Sequence, residues 1–247
     1  MSKMSPKSDE TDSRAASRYS NRREMSDIEP LVRLYHNESR KDEHHRYRSW
    51  EHCYQHFCQL RRIPDGDRDI DHAALHLGFF LASWGMYRGS CPLLKKDYKV
   101  HTDAVRVLLR REYDALLHVD FDSQGKTEAA LPALFALRGA LRNAYAGRAG
   151  VKASKVTDTL VTKVILGTCG CTPAYDRYFV KGLRENGLRF SKFNGDSFAA
   201  VCRFYRDNAV AFRRVGRQIA PKGVQYPIMK LVDMYFWQVG LLAETRT

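Results

Sequence analysis

The chain has 247 residues, of which 44% are apolar, so it is long enough to fold around one large hydrophobic core or two smaller ones. Its net charge is +13, and nearly all of that excess lies in the C-terminal part: residues 138–247 carry 19 Lys and Arg against 7 Asp and Glu, whereas residues 1–137 carry 22 against 21. The most apolar stretch, 73–87, is too short to cross a bilayer, so the composition excludes a membrane span and favours a polyanionic partner.

Residues 1–25 differ from the rest of the chain. They are rich in Ser, Arg, Lys and Asp and almost free of large apolar residues, which predicts a disordered tail. They contain no apolar segment of the kind found in secretory signals, and their acidic residues argue against an organelle transit peptide. We therefore expect a cytoplasmic protein whose six cysteines are reduced thiols.

Helical periodicity, interrupted by Gly and Pro, continues over residues 26–247 and predicts a single compact all-α domain behind the tail. In chain order, we predict helices over residues 27–36, 41–62, 69–87, 93–118, 127–145, 154–167, 172–186, 196–215 and 227–243. Thr172 followed by Pro173 is the clearest start signal, because it places an N-cap hydroxyl before proline at the first helical position. The last helix is apolar on several sides, which favours a place in the core.

The clearest functional signal is a basic helix over residues 197–217. Five arginines of this helix share an arc of about 100°, with aromatic and aliphatic residues opposite: Arg203, Arg206, Arg213, Arg214 and Arg217. Arg138 and Arg142 form a second basic pair one turn apart, and Arg148 is the next candidate. Because a guanidinium can bond two phosphate oxygens at once, we predict that these arginines contact nucleic acid. The alternative is a solvated charged face that touches no partner.

The nine histidines all lie in the first half of the chain, and four of them form two pairs with i, i+4 spacing. His52 with His56, and His72 with His76, would each place both rings on one face of a helix, as a metal site requires. So many histidines in a short stretch produce such pairs by chance, and no cysteine spacing matches a zinc site. We therefore expect ordinary packing and surface positions for these histidines, with no metal and no cofactor.

Arginines precede histidines at two places in the same region. Arg40 before His45, and Arg46 before His52, resemble the Arg-x4–6-His motif of the HEPN ribonucleases, which are also all-helical. The resemblance implies that such an Arg and His act together on an RNA phosphodiester. The motif lies early in this chain, whereas that family usually carries it late in the domain.

Residues 147–180 resemble the helix-hairpin-helix DNA glycosylases in local layout, with a Gly-containing break, a helix, and then Pro and Asp near the next helix start. The resemblance implies that Gly150 and Val151 lie in a hairpin that holds a DNA phosphate, and that Asp176 is the catalytic carboxylate. Lys152 stands where the family has a glycine, and no catalytic lysine is evident. The alternative role of Asp176 is structural: it pairs with Arg177 or Lys163, or supports a helix N-terminus.

Three aromatic- and glycine-rich segments, 81–90, 162–179 and 226–240, resemble signatures of a bacterial all-helical family of unknown function. Arg88, Asp176, Arg177 and Asp233 are the polar residues embedded in these segments. If they are buried, they must be paired, and both an ion-pair network and the lining of a site fit that requirement.

The sequence favours a nucleic-acid-binding helical protein whose basic C-terminal half, 138–247, contacts phosphates of DNA or RNA. The first alternative is an enzyme that processes nucleic acid, either glycosylase-like through Asp176 or HEPN-like through Arg46 and His52. The second alternative is a helical interaction protein that binds an acidic partner protein. No membrane partner is expected.

Overall fold

A computed structural model of the chain describes residues 27–220 and 225–245, and all regular structure in these ranges is helical. The expected all-α fold is confirmed, whereas the tail predicted over residues 1–25 lies outside the described part of the chain. The ten α-helices described are α1 (Ile28–Arg40), α2 (Ser49–Leu60), α3 (Ile70–Ser83), α4 (Thr102–Leu108), α5 (Gln124–Ala149), α6 (Asp158–Thr168), α7 (Arg177–Glu185), α8 (Gly195–Asp207), α9 (Ala209–Ile219) and α10 (Ile228–Glu244). None of these helices is long and apolar enough to pass through a bilayer.

Helix α10 is the centre of the packing, as its apolar sequence predicts. Every residue from 229 to 240 is buried, and the helix packs on α7, α1 and α9. The approach of α7 is close enough to require glycine on both sides. A side chain at Gly182 would collide with the backbone carbonyl of Phe236, and one at Gly240 would collide with that of Tyr178.

The start of α7 corrects the Thr172–Pro173 prediction. The helix begins at Arg177, because Asp176 is the N-cap and its Oδ1 accepts hydrogen bonds from the amides of Tyr178 and Phe179, both at 3.1 Å. Side chains from other helices take up the preceding amides: Asp233 accepts from Ala174, and the Thr162 hydroxyl accepts from Tyr175. Residues 172–175 are therefore held in a non-helical conformation.

Two other predicted helices are shorter than their periodicity suggests. Within 41–62, α2 begins only at Ser49, after a 3-10 turn over Arg46–Arg48, and the Asp42 side chain accepts the His44 amide in the preceding loop. Residues 93–118 divide into two 3-10 segments on either side of α4. The division follows the burial of His101, whose ring lies between the hydroxyls of Tyr87 and Tyr145.

The basic helix predicted over 197–217 is two helices. Asn208 ends α8 with a backbone outside the helical region (φ −122°, ψ 17°). The Nδ2 atom of its side chain donates to the Phe204 backbone carbonyl at 2.8 Å. A side chain that bonds the backbone in this way competes with helix continuation. The prediction of a single helix with one arginine stripe is therefore wrong, because two of these arginines lie on α8 and three on α9.

Candidate functional site

The predicted arginines are mostly engaged within the protein. Arg206 donates to the Thr127 hydroxyl at 3.1 Å, and Arg213 donates to the Tyr205 hydroxyl at 3.2 Å. Three of the predicted arginines also form ion pairs with acidic residues of other elements: Arg214 with Glu29, Arg213 with Asp122, and Arg148 with Asp103. Among the stripe arginines, Arg203 and Arg217 are exposed and make no hydrogen bond or ion pair with other described residues.

Arg138 and Arg142 differ from these pairs because both bind the same carboxylate. The Oδ1 atom of Asp158 lies 2.8 Å from Arg138 and 2.9 Å from Arg142. One negative charge thus faces two positive ones at the start of α6. The Nε atom of Arg142 is buried and has no hydrogen-bond partner within the described residues. An unpaired donor of this kind is unusual in a folded protein and identifies a place where a ligand or water is accommodated.

An open groove of about 360 Å³ lies beside this pair, between α5, the start of α6 and the loop before α8. We call it the Arg138 groove. Its polar lining comes from Arg138, Asp158, Lys192 and Asn194, and its apolar lining from Leu131, Phe135 and Phe193. The two phenyl rings are stacked with centroids 5.1 Å apart, and the Arg138 guanidinium lies 5.9 Å from each.

The N-terminus of α8 opens onto the same groove. Asn194 caps the helix by accepting the Ser197 amide at 2.9 Å, and Gly195 lines the groove. The first amides of a helix have no partner in the helix and lie at the positive end of its dipole, so they attract anions. The groove therefore combines an apolar surface with an arginine, a lysine and a helix N-terminus.

A second candidate site lies beside the 172–176 segment, where two lysine–aspartate pairs meet. Lys163 lies 3.2 Å from Asp176, and Lys230 lies 3.0 Å from Asp233. The side chains of Lys163, Lys230 and Asp233 are at most 6% exposed, and that of Asp176 is 13% exposed. We call these four residues the Lys–Asp centre. The sequence points to both aspartates and, as an alternative partner of Asp176, to Lys163, but it gives no role to Lys230.

Aromatic rings enclose the Lys–Asp centre. Trp50, Trp84 and Trp237 line it, and the Lys230 ammonium lies 5.2 Å from the Trp50 ring centroid and 4.9 Å from that of Tyr35. Tyr47 is stacked between Tyr35 and Trp84, at 4.9 Å and 5.0 Å. The enclosed space of about 10 Å³ is sufficient for about one water molecule.

Burial dominates the electrostatics of this centre. It raises the pKa of Asp233 above its usual value, the neighbouring Asp176 raises it further, and Lys230 opposes the shift. Burial also raises the pKa of Tyr35 well above its usual value. The Nε1 donor of Trp84 is buried without a partner among the described residues. The Lys–Asp centre thus combines two enclosed ion pairs with a buried donor that has no partner among the described residues.

Both structural roles considered for Asp176 occur together, since it caps α7 and pairs with Lys163. The other embedded polar residues lie outside the Lys–Asp centre: Arg88 and Arg177 are exposed, and Arg177 lies against the Tyr178 ring and Glu244. In the predicted hairpin, Gly150 ends α5 with φ +68° in the left-handed region.

The HEPN-like arginines bond to groups other than their sequence partners. Arg40 donates to His36 at 3.3 Å and to Glu51 at 2.6 Å, and the Arg46 guanidinium lies over the Tyr47 ring. His45 accepts the Tyr47 amide, and His52 is exposed. Neither Arg–His pair of the motif is joined by a hydrogen bond in the described structure.

Three of the four paired histidines meet between α2 and α3. The rings of His56 and His76 are stacked with centroids 4.1 Å apart, and His72 lies 4.9 Å from His56. Burial, followed by the His76 and His72 rings, lowers the pKa of His56 to about 4. Burial also lowers the pKa of His76. His56 and His76 are therefore neutral at pH 7.

Comparison of the chain with protein-family models, curated proteins and solved structures finds no match. Function must therefore be inferred from the geometry of these sites.

Proposed function

We propose that the protein binds nucleic acid, and that the Arg138 groove holds a phosphate together with its attached nucleotide. The observation that carries the proposal is the shared carboxylate, because Asp158 neutralises at most one of the two guanidiniums that bind it. A phosphate that enters beside it would accept bonds from Arg138 and from Lys192 across the groove.

The rest of the groove suits a nucleotide better than an inorganic anion alone. Partly exposed Phe135 and Leu131 form an apolar wall beside the cationic groups. Aromatic surface next to a basic groove is the arrangement that proteins use to stack a base while they hold the backbone. The charge excess of residues 138–247 supplies the longer-range attraction.

The test is a titration of fluorescein-labelled oligonucleotides with the full chain, read by fluorescence anisotropy at several salt concentrations. Single-stranded DNA, duplex DNA and RNA are compared in parallel. Lys192→Gln should weaken binding by about threefold to tenfold and lower the slope of log K against log salt by about one. Lys96→Gln is the matched control, because Lys96 is exposed and lies in the nearly neutral half.

Two outcomes would overturn the proposal. One is an absence of binding at low salt, and the other is an equal loss in Lys192→Gln and Lys96→Gln. Addition of poly-glutamate as a competitor tests the acidic-partner alternative. If poly-glutamate binds at the groove and oligonucleotides do not, the protein is an interaction module for acidic proteins instead.

A second candidate function is catalysis on nucleic acid at the Lys–Asp centre, favoured by the unpaired Trp84 donor and the two enclosed pairs. Since the space holds about one water, a base would enter only after the surrounding side chains move. Asp176→Asn tests this function, because asparagine still caps a helix but carries no charge. Loss of product on modified or structured DNA and RNA, with binding unchanged, would support catalysis. Unchanged product formation would exclude Asp176 as the catalytic group.

We also propose a cytoplasmic location. It follows from the reduced cysteines expected of this composition and from the nucleic-acid partner, and imaging of a C-terminally tagged chain tests it.

A further inference from the structure

We propose that His56, His72 and His76 form a binding site for a divalent transition metal such as zinc. The inference goes beyond the proposed nucleic-acid function and rests on residues that take no part in it. One ring nitrogen from each histidine lies within 4.8 Å of the other two. We call these three residues the histidine cluster.

The cluster is held by two packed helices. His72 and His76 lie one turn apart on α3, whose first turn is fixed by the Asp69 side chain accepting the His72 amide at 2.9 Å. His56 lies on α2, which packs against α3 beside the buried residues Phe57 and Ala73. The backbone that carries the three rings is therefore rigid, and only side-chain rotation is needed to change the position of a ring nitrogen.

The distances are close to those of a zinc site. Zinc–nitrogen bonds of about 2.0–2.1 Å place tetrahedral ligand nitrogens about 3.4 Å from one another, which is shorter than the 4.8 Å limit within which the ring nitrogens lie. Nitrogens within 4.8 Å of one another thus need to approach by at most about 1.4 Å. Because a nitrogen lone pair lies in the plane of its ring, the stacked rings of His56 and His76 cannot both face one ion, and one of them must turn as the metal binds.

The three histidine rings make no hydrogen bonds within the described structure that would compete with a metal. The Nε2 atom of His56 is buried and has no partner among the described residues. The rings of His72 and His76 also make no hydrogen bond or ion pair in the described structure. The hydrogen bond from His72 to Asp69 is made by the backbone amide and leaves the His72 ring unbonded. An ion shared by the three rings would give the buried Nε2 atom of His56 the partner that it lacks among the described residues.

The donor set selects the metal. Imidazole nitrogens suit zinc, copper, nickel and iron, whereas calcium and magnesium prefer oxygen. Three histidines leave one tetrahedral position of zinc for a water molecule or substrate. His72 is exposed, so solvent reaches that side of the cluster.

The experiment measures zinc binding to the full chain after removal of metal by a chelator, in the presence of a phosphine reductant that keeps the thiols reduced. Competition with a chromogenic zinc indicator gives stoichiometry and affinity, and Co²⁺ as a second probe reports coordination through its visible absorption. We expect one zinc per chain with a micromolar or tighter dissociation constant. His72→Gln should weaken binding at least tenfold, and His72→Gln with His76→Gln should abolish it.

His44→Gln is the matched control, because His44 is exposed and lies outside the histidine cluster. Since His72 is also exposed, His72→Gln should fold normally, and circular dichroism checks this. The proposal is overturned if the wild-type chain binds no zinc, or if the His72→Gln and His76→Gln double variant binds as tightly as the wild type. Equal losses in His44→Gln and His72→Gln would overturn it as well.

Discussion

Arg138 and Asp158 are joined at 2.8 Å across the helices α5 and α6, and the same carboxylate oxygen also binds Arg142. This arrangement holds two guanidiniums with only one compensating charge, and one of the two, that of Arg138, lines an open groove. It also gives the carboxylate two opposing effects. Asp158 stabilises the fold, while it competes with any phosphate for the arginines.

Asp158→Asn should therefore separate binding from stability. We expect oligonucleotide affinity to rise severalfold, because the competing negative charge is removed. The free energy of unfolding should fall by about 1–2 kcal/mol, because two charge-assisted hydrogen bonds are weakened. Anisotropy titrations and chemical denaturation measure the two effects. Asp65→Asn, which removes the carboxylate paired with Arg68 in the nearly neutral half, is the control, and an equal rise in affinity there would contradict a specific role for the groove.

The arginines of α8 and α9 differ in how they are held, so the choice of arginine decides what a substitution tests. Arg206 and Arg213 hold contacts to Thr127 and Tyr205, so replacing them should lower the melting temperature. Arg203→Gln with Arg217→Gln should leave it nearly unchanged, since exposed charges contribute little to stability. If both arginines contact phosphates, the salt slope falls by about two. A salt slope equal to that of the wild type would show that the nucleic acid does not reach α8 and α9.

Gly182→Ala should be strongly destabilising. The added methyl group would meet the backbone carbonyl of Phe236 on α10, which cannot turn aside as a side chain does. We expect a loss of about 3 kcal/mol or more, at the upper end of overpacking effects. Gly139→Ala is the control, because Gly139 lies in α5 with open space around it. It should be stabilising by about 0.5–1 kcal/mol. Thermal melts of both variants decide the matter, and similar stability in the two would contradict the close approach of α7 and α10.

The fold was predictable wherever a local signal was decisive. Asp69 caps α3 at the predicted start of that helix, and Thr157 caps α6 three residues after the predicted start at residue 154. Thr172–Pro173 fails as a helix start, because the amides of Ala174 and Tyr175 bond to Asp233 and Thr162 on other helices, which no local pattern contains. The Thr172 hydroxyl donates to the neighbouring Pro173 carbonyl instead of capping a helix. Asn208 was overlooked within a helical period that continues on both sides of it.

The candidate sites were predictable only in part, because each is assembled from distant segments. Lys163 and Asp176 belong to different helices, and the sequence offers Lys163 only as one of two alternative partners of Asp176. Lys230, which the sequence analysis does not name, lies three residues before Asp233 and could have been noticed from that spacing. The histidine pairs were visible, but the sequence paired His56 with His52, whereas packing brings it to His72 and His76. Similarly, Asp158 gave no sign that it would bind two arginines from α5.

His101 should make stability depend on pH. Its ring nitrogens lie 2.7 Å from the Tyr87 hydroxyl and 2.8 Å from the Tyr145 hydroxyl, and burial lowers its pKa from 6.5 to about 3. The unfolded chain therefore takes up a proton near its ordinary pKa while the folded chain does not. Stability from this residue is fully present above about pH 6.5 and is lost as the pH falls towards 3.

The expected slope is about 1.4 kcal/mol per pH unit between roughly pH 6 and pH 4 for this one group. His56 and His76 add to it in the same direction, since their pKa values are also lowered. Chemical denaturation across this range measures the slope. His101→Gln keeps hydrogen-bonding groups at this position but does not titrate, so its slope should be smaller by about one proton. An unchanged slope would show that His101 is protonated in the folded protein, contrary to its place between the two tyrosines.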